Sequence, residues 1–175
     1  MSGTSQLVKK VAVFMGSDSD FPIVKKALHV LESFGVPYEA HVYSAHRTPD
    51  KVRKFAAEAE QKGFGVIIAA AGKAAALPGA VAAYTTLPVI GLPIPASQLD
   101  GLDALLSMVQ MPPNIPVATV AIGGAENAAL LACQILSLGD PILAEKMKEH
   151  RANHIIKAEQ REEAFQATLR EEMGH

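Results

Sequence analysis

Five short apolar runs, most of them followed by a turn and then by residues at helical spacing, leave this 175-residue chain few folds to choose from. The plainest is Val66-Ile-Ile-Ala-Ala-Ala71, apolar at every position. A strand with one wet face alternates apolar and polar residues; a run without alternation belongs inside a parallel sheet, covered on both faces. Val11-Ala-Val-Phe-Met15, Tyr38–Tyr43, Pro88–Leu92 and Val117–Ile122 are read as the other four strands. Helical spacing runs over Phe21–Phe34, stopped by Gly35, and over Thr48–Lys62, stopped by Gly63. A short helix follows Leu77-Pro-Gly79 as far as Tyr84, and two more cover Leu102–Val109 and Ala125–Leu138, the last apolar enough to be expected as the most buried. Strands alternating with helices across short links predict an α/β domain, a five-stranded parallel sheet with helices on both faces and right-handed crossovers.

Past Asp140-Pro141 the pattern changes. From Ile142 to Met173 the chain is charged, helix-favouring and nearly free of breakers, with Asp140 placed to cap and Pro141 to stand first in the helix. About 30 helical residues span about 45 Å, longer than the domain beneath them. The chain is therefore expected to divide into an α/β domain over 1–139, which carries the candidate catalytic loops, and a helical extension over 140–175. Ile142, Leu143, Met147, His150, His154 and Ile155 offer an apolar seam, and the first half of the helix is expected to pack on a neighbouring subunit.

Whole classes of function drop out on composition. A formal charge of -2 with no basic stripe gives nucleic acid nothing to hold, and 5% aromatic residues leave no platform for stacked bases. No apolar run is long enough to cross a bilayer, and the polar start Met1–Gln6 lacks a signal-peptide pattern, which points to the cytoplasm. A single cysteine, Cys133, excludes an internal disulfide and disfavours a thiolate metal cluster; its place in an Ala- and Leu-rich helix suits packing.

In an open parallel sheet, ligands bind beyond the carboxyl ends of the strands. Three loops leave those ends with unusual content. In the second, Ser44-Ala-His-Arg-Thr-Pro-Asp50, Arg47 can grip a phosphate or carboxylate through a fork of donors, Ser44 and Thr48 add hydroxyls, and His46 can carry or release a proton near neutral pH. An anion clamp beside a proton carrier suits acid–base chemistry on a phosphorylated small molecule. In the first, Gly16-Ser-Asp-Ser-Asp20, Gly16 admits a ligand close to the backbone, Ser17 and Ser19 can donate to phosphate, and Asp20 can accept from ribose hydroxyls. In the third, Ala71–Gly79, small residues around Gly72, Lys73, Ala74 and Leu77 let a flat ring lie against backbone. Each loop also has a plain structural reading: Ser19, Asp20 or Thr48 as a helix cap, Arg47 as a solvated cation, the third loop as a tight turn. Neither a Walker loop nor a dinucleotide fingerprint is present.

Met15-Gly-Ser-Asp-Ser-Asp20, Ser44-Ala-His-Arg-Thr-Pro-Asp50, Leu77-Pro-Gly79, Ser107-Met-Val-Gln-Met-Pro112 and Asn127-Ala-Ala-Leu-Leu-Ala132 together resemble the N5-carboxyaminoimidazole ribonucleotide mutases of purine biosynthesis, over about Val11 to Leu138. The resemblance implies a flavodoxin-like three-layer sandwich, assembly as a homo-octamer with sites at subunit junctions, a small ribonucleotide substrate, and no metal or organic cofactor. It implies that Ser17 and Asp20 hold phosphate and ribose, that Ser44 and Arg47 grip phosphate, and that His46 is the catalytic acid and then base.

In one place the chain departs from that pattern. The third loop of the family usually carries two glycines, two alanines and a histidine before Leu-Pro-Gly; here Lys73 replaces the second glycine and Ala76 the histidine. The animal-type enzymes that carboxylate aminoimidazole ribonucleotide directly with carbon dioxide also lack that histidine and place a basic residue after the first glycine. Direct carboxylation, or a catalytically impaired protein that holds a phosphoribosyl ligand, therefore stand as the alternatives to the mutase.

Overall fold

A computed structural model describes residues 9–95 and 99–174; the polar stretch Met1–Gln6 lies outside the described residues. Five strands form one parallel sheet: β1 (Lys10–Met15), β2 (Tyr38–Val42), β3 (Phe64–Ala71), β4 (Val89–Pro93) and β5 (Ala118–Thr119), in the spatial order β2-β1-β3-β4-β5. Five helices accompany them: α1 (Phe21–Phe34), α2 (Pro49–Glu58), α3 (Leu77–Ala82), α4 (Leu102–Val109) and α5 (Ala125–Ser137). This is the doubly wound order of flavodoxin-like folds, in which the chain reverses direction between β1 and β3 and opens a crevice there.

The pleat sorts the core into two layers. Ala12 and Phe14 of β1 and Ile67, Ala69 and Ala71 of β3 face α2, α3 and α4, meeting Val52, Phe55, Leu77, Val81 and Met108. Phe14 sets its ring edge against Phe55 at 4.9 Å, and Phe55 leans on Phe64 at 5.1 Å. On the opposite face α5 comes so close to β3 that a Cβ at Gly65 would meet Leu136 Cδ2 at 2.6 Å. Val66 to Ala70 are fully buried, as a run apolar at every position requires.

Helix stops fall where the glycines stand. Gly35 takes φ +71 and returns its N–H to Leu31 and Glu32, closing α1; Gly63 takes φ +83 ahead of β3. Two expectations need correction. α2 ends at Glu58, not Lys62, because Lys62 and Gly63 donate back to Glu58, Ala59 and Glu60 in a tight turn that carries Phe64 into the core. β5 keeps two residues of the six expected: it is an edge strand paired only to β4, and the turn at Gly123 and Gly124 pulls the chain away. α5 buries one side, through Ala125, Ala128, Ala129, Ala132 and Cys133. Burial pushes the Cys133 thiol up to about 11, so it stays protonated and serves packing.

The chain forms two compact units, one ending at Leu136 and one beginning at Ser137. The second consists mainly of α6 (Pro141–Met173), a helix of 33 residues. Asp140 accepts from the N–H groups of Ile142 and Leu143, both at 3.0 Å, and Pro141 stands in the first turn as the sequence predicts. Among the described residues no helix is long and apolar enough to cross a membrane.

Candidate active site

Register brings three loops to one level. Met15, the last residue of β1, lies opposite Val42 on β2 and Ala70 on β3. Gly16 then donates to Ala70 O at 3.1 Å, and Tyr43 donates to Met15 O at 2.9 Å. The three connections therefore leave the sheet side by side, at the crevice where the chain reverses direction. They enclose a cleft of about 510 Å³. It brings together Gly16, Ser17, Ser19 and Asp20 of the first loop, Ser44, His46 and Arg47 of the second, and Gly72, Lys73, Ala74 and Leu77 of the third. Of the candidates singled out from the sequence, these eleven meet there and Thr48 does not.

The first loop is pre-set by its own hydroxyls and carboxylates. Ser17 caps a short 3₁₀ turn over Asp18–Asp20, accepting from Ser19 N–H at 3.3 Å, while Ser17 N–H donates to Asp20 Oδ2 at 3.2 Å. This reciprocal pair is a capping box, so the structural reading of the loop is realised as well. Ser19 Oγ donates to Ser17 Oγ at 2.8 Å, which groups both hydroxyls at the cleft. Asp20 is 5% exposed, and this burial raises its carboxyl above the ordinary value despite the lowering influence of the Ser17 N–H, Ser19 and Arg47.

A folded-state pKa above the unfolded one favours folding when the group is protonated. That contribution is full below the unfolded carboxylate pKa of about 3.9 and is lost as pH rises through the higher folded value. Asp20→Asn keeps an acceptor for Ser17 N–H and removes the buried charge. Its Tm at pH 7 should therefore equal or exceed that of the parent, and any advantage should fade as the pH is lowered to about 4. A variant that is less stable at pH 7 and recovers at pH 4 would show that the ionised carboxylate supports the fold.

The second loop is held by Thr48. Its Oγ1 accepts from Ser44 N–H at 2.9 Å and donates to Ser44 O at 3.2 Å, so this hydroxyl is spent on the turn; it neither caps α2 nor faces the cleft. Ser44 Oγ accepts from Arg47 N–H at 3.2 Å. Arg47 then reaches across to the first loop, where Nη2 donates to Gly16 O at 2.6 Å. His46 is exposed at the cleft, with no hydrogen-bond partner among the described residues. The other described histidines of the domain sit elsewhere: His29 pairs with Glu32 on α1, and His41 stacks on Tyr43 at 4.9 Å beside Phe14 and Phe55.

In the third loop Lys73 takes φ +56, a left-handed backbone that side chains other than glycine, asparagine and aspartate rarely adopt. The lysine is exposed and has no hydrogen-bond or ion-pair partner among the described residues. Ala76, which stands where the family usually has histidine, also lines the cleft, as do Ala45, Ala71 and Ala75, whose small side chains give no chemical signal, only room. A wider groove of about 1030 Å³ lies at the amino ends of β4 and β5, where Glu60 is the only ionisable carboxylate and neither histidine nor a basic residue takes part. Among the described residues no three His, Cys, Asp or Glu side chains gather as metal ligands.

A flavodoxin-like sheet whose switch-point cleft combines an arginine, serine hydroxyls and a solvent-facing histidine defines an α/β protein built for an anionic small molecule. The chain belongs to the AIR carboxylase family, whose sequence model matches residues 10–157. It is 59% identical to the N5-carboxyaminoimidazole ribonucleotide mutase of Pyrococcus abyssi over 142 residues, 81% of this chain and 82% of that protein. It is 52% identical to the mutase of Pyrococcus horikoshii over 164 residues, 94% of this chain and 90% of that one. Among solved structures, Treponema denticola PurE superposes with a TM-score of 0.79 at 32% identity, covering 87% of this chain and 95% of that chain.

Proposed function

We infer that this chain is an enzyme of purine biosynthesis that converts N5-carboxyaminoimidazole ribonucleotide to 4-carboxy-5-aminoimidazole ribonucleotide. The observation that carries the site assignment is the convergence of His46, Arg47 and the serines of the first two loops on one cleft at the switch point. Ser17, Ser19, Ser44 and Arg47 take the phosphate, and Asp20 the ribose. Gly16 has no positive φ, and a Cβ there would meet nothing closer than 3.9 Å, so neither backbone conformation nor packing demands glycine. The space is left for the ligand to approach the backbone.

His46, as imidazolium, protonates the carbamate nitrogen while the N–C bond breaks and carbon dioxide departs. The released carbon dioxide stays over the ring, against Gly72, Ala74 and Leu77. The ring carbon then attacks it, forming the C–C bond, and the now neutral His46 removes the ring proton. One group serves as acid and then base because the proton is delivered to the amine that the ring carries and removed from the adjacent ring carbon. Keeping the carbon dioxide from escaping to water requires that this lining close over the bound nucleotide. The enzyme works in the cytoplasm as a homo-octamer, and the extension over 140–175 takes part in subunit packing.

Lys73 and Ala76 support a second reading, direct carboxylation of aminoimidazole ribonucleotide. Where the family usually has glycine, Lys73 keeps the left-handed backbone, which costs roughly 1 kcal/mol for a side chain. A strained cation at the cleft suits a carboxylate, whichever substrate delivers it. Offering the purified enzyme the carbamate substrate, and separately aminoimidazole ribonucleotide with bicarbonate, decides between the two. The mutase converts the first without added bicarbonate; rapid conversion of only the second makes the chain a direct carboxylase, and tight nucleotide binding with neither conversion makes it a binding protein. Lys73→Gly should leave Tm unchanged or raise it while lowering turnover; unchanged turnover would remove the lysine from the reaction.

A further inference from the structure

α6 carries features that the cleft does not use. Its 33 residues span about 50 Å. Ile155, Phe165, Leu169 and Met173 on it are all at least 40% exposed. Ile155, Ala158, Glu162, Phe165 and Leu169 follow one another at alternating steps of three and four, the spacing of a coiled-coil seam. Carried back toward the start of the helix, the same steps pick out Arg151, Lys148 and Ala144.

Charge is divided along the helix. Residues 141–157 hold four lysines and arginines against two glutamates, net +2, and residues 158–173 hold two arginines against five glutamates, net -3. The acidic half lies beyond the 10–157 matched by the family model.

We propose that α6 pairs with α6 of a second copy of this chain, antiparallel, with the two helices crossing between residues 156 and 157. In this register the basic half of each helix lies along the acidic half of the other. Ile155 meets Ala158 of the second copy, Ala144 meets Leu169, and the stem of Lys148 covers Phe165. Arg151 meets Glu162 at two symmetric positions. Arg151 has no partner among the described residues, and Glu162 accepts only from Gln166, one turn along at 2.8 Å. Parallel pairing sets Arg151 against Arg151 and Glu162 against Glu162, so the seam charges select the antiparallel form, as polar seam residues do in coiled coils. The register overlaps the helices over nearly their whole length, from Pro141 to Glu172.

The experiment is disulfide trapping in the full-length chain under mild oxidation, where the native Cys133 is buried and stays out of the reaction. Across an antiparallel pair crossing at 156–157, Ala158→Cys lies near its own copy, whereas the two Leu169→Cys positions stand about 37 Å apart along the axis. Ala158→Cys should therefore form a covalent dimer and Leu169→Cys should not. In the Ala158→Cys background, Arg151→Glu should lower the trapped fraction roughly tenfold by placing like charges together twice, and adding Glu162→Arg should restore it. Equal trapping through Leu169→Cys, or a yield indifferent to the charge reversals, would overturn the pairing.

Discussion

His46→Asn should abolish interconversion while leaving the nucleotide bound. Loss of a positioned proton carrier typically costs ~10²–10⁴-fold in rate, and here one group is asked to act twice. Asparagine keeps a polar side chain of similar reach but cannot exchange a proton. Among the described residues His46 has no hydrogen-bond partner to lose, so the fold should survive with an unchanged Tm. No other histidine of the domain is placed to substitute: His41 is packed among Phe14, Tyr43 and Phe55, and His29 is held by Glu32 on α1. Asp20 is turned to the Ser17 N–H of its own loop. Two measurements together decide the role: turnover with the carbamate substrate, and the dissociation constant of the product nucleotide by calorimetry. Low turnover with parental binding assigns proton transfer to His46. Near-parental turnover removes it from the chemistry, and a parallel loss of both makes it a binding residue.

How far the fold could be read depended on how completely each segment is buried. β3 was legible because both faces are covered and every residue is apolar. α1 was legible because its apolar residues keep helical spacing over Phe21–Phe34 and Gly35 fixes its stop. β5 was not, because Val117–Ile122 has the composition of a strand while its ladder depends on a single neighbour, and the turn that removes it comes from Gly123 and Gly124. In α5 the composition marked an apolar helix, and its buried face is the stripe of alanines and the cysteine.

At the cleft, the sequence identified residue types and loops but not the contacts between them. The bond from Arg47 to Gly16 O joins residues 31 apart, and no local pattern encodes it. Thr48 looked like a ligand donor or a helix cap, yet both capacities of its hydroxyl are used by Ser44. The burial of Asp20 depends on packing around the first loop and could not be read from Ser17-Asp-Ser-Asp20 alone. Lys73 is the reverse case: the sequence names the unusual residue, and the structure shows the backbone holding the left-handed turn of a glycine.

Arg47→Ala should cost affinity first and rate second. In the structure the guanidinium already reaches from the second loop to the first, Nη2 donating to Gly16 O, while the backbone N–H of Arg47 donates to Ser44 Oγ. It is thus held between the two loops before any ligand arrives, and if the phosphate binds there, as proposed, it meets a guanidinium already partly ordered. Removing one member of a charge pair that becomes desolvated on binding typically costs about 2–5 kcal/mol, which corresponds to roughly 30- to several thousand-fold in affinity. The truncation also frees Gly16 O, so the first loop should loosen and the ribose contact at Asp20 should weaken with it. Arg47→Lys separates the two contributions. It keeps the charge but loses the fork, so affinity should return only in part. The expected signature is a large rise in KM and in the nucleotide dissociation constant, with a smaller fall in kcat. An unchanged dissociation constant would place the phosphate elsewhere, and an unchanged KM with a collapsed kcat would make the arginine a partner of the reacting carboxylate.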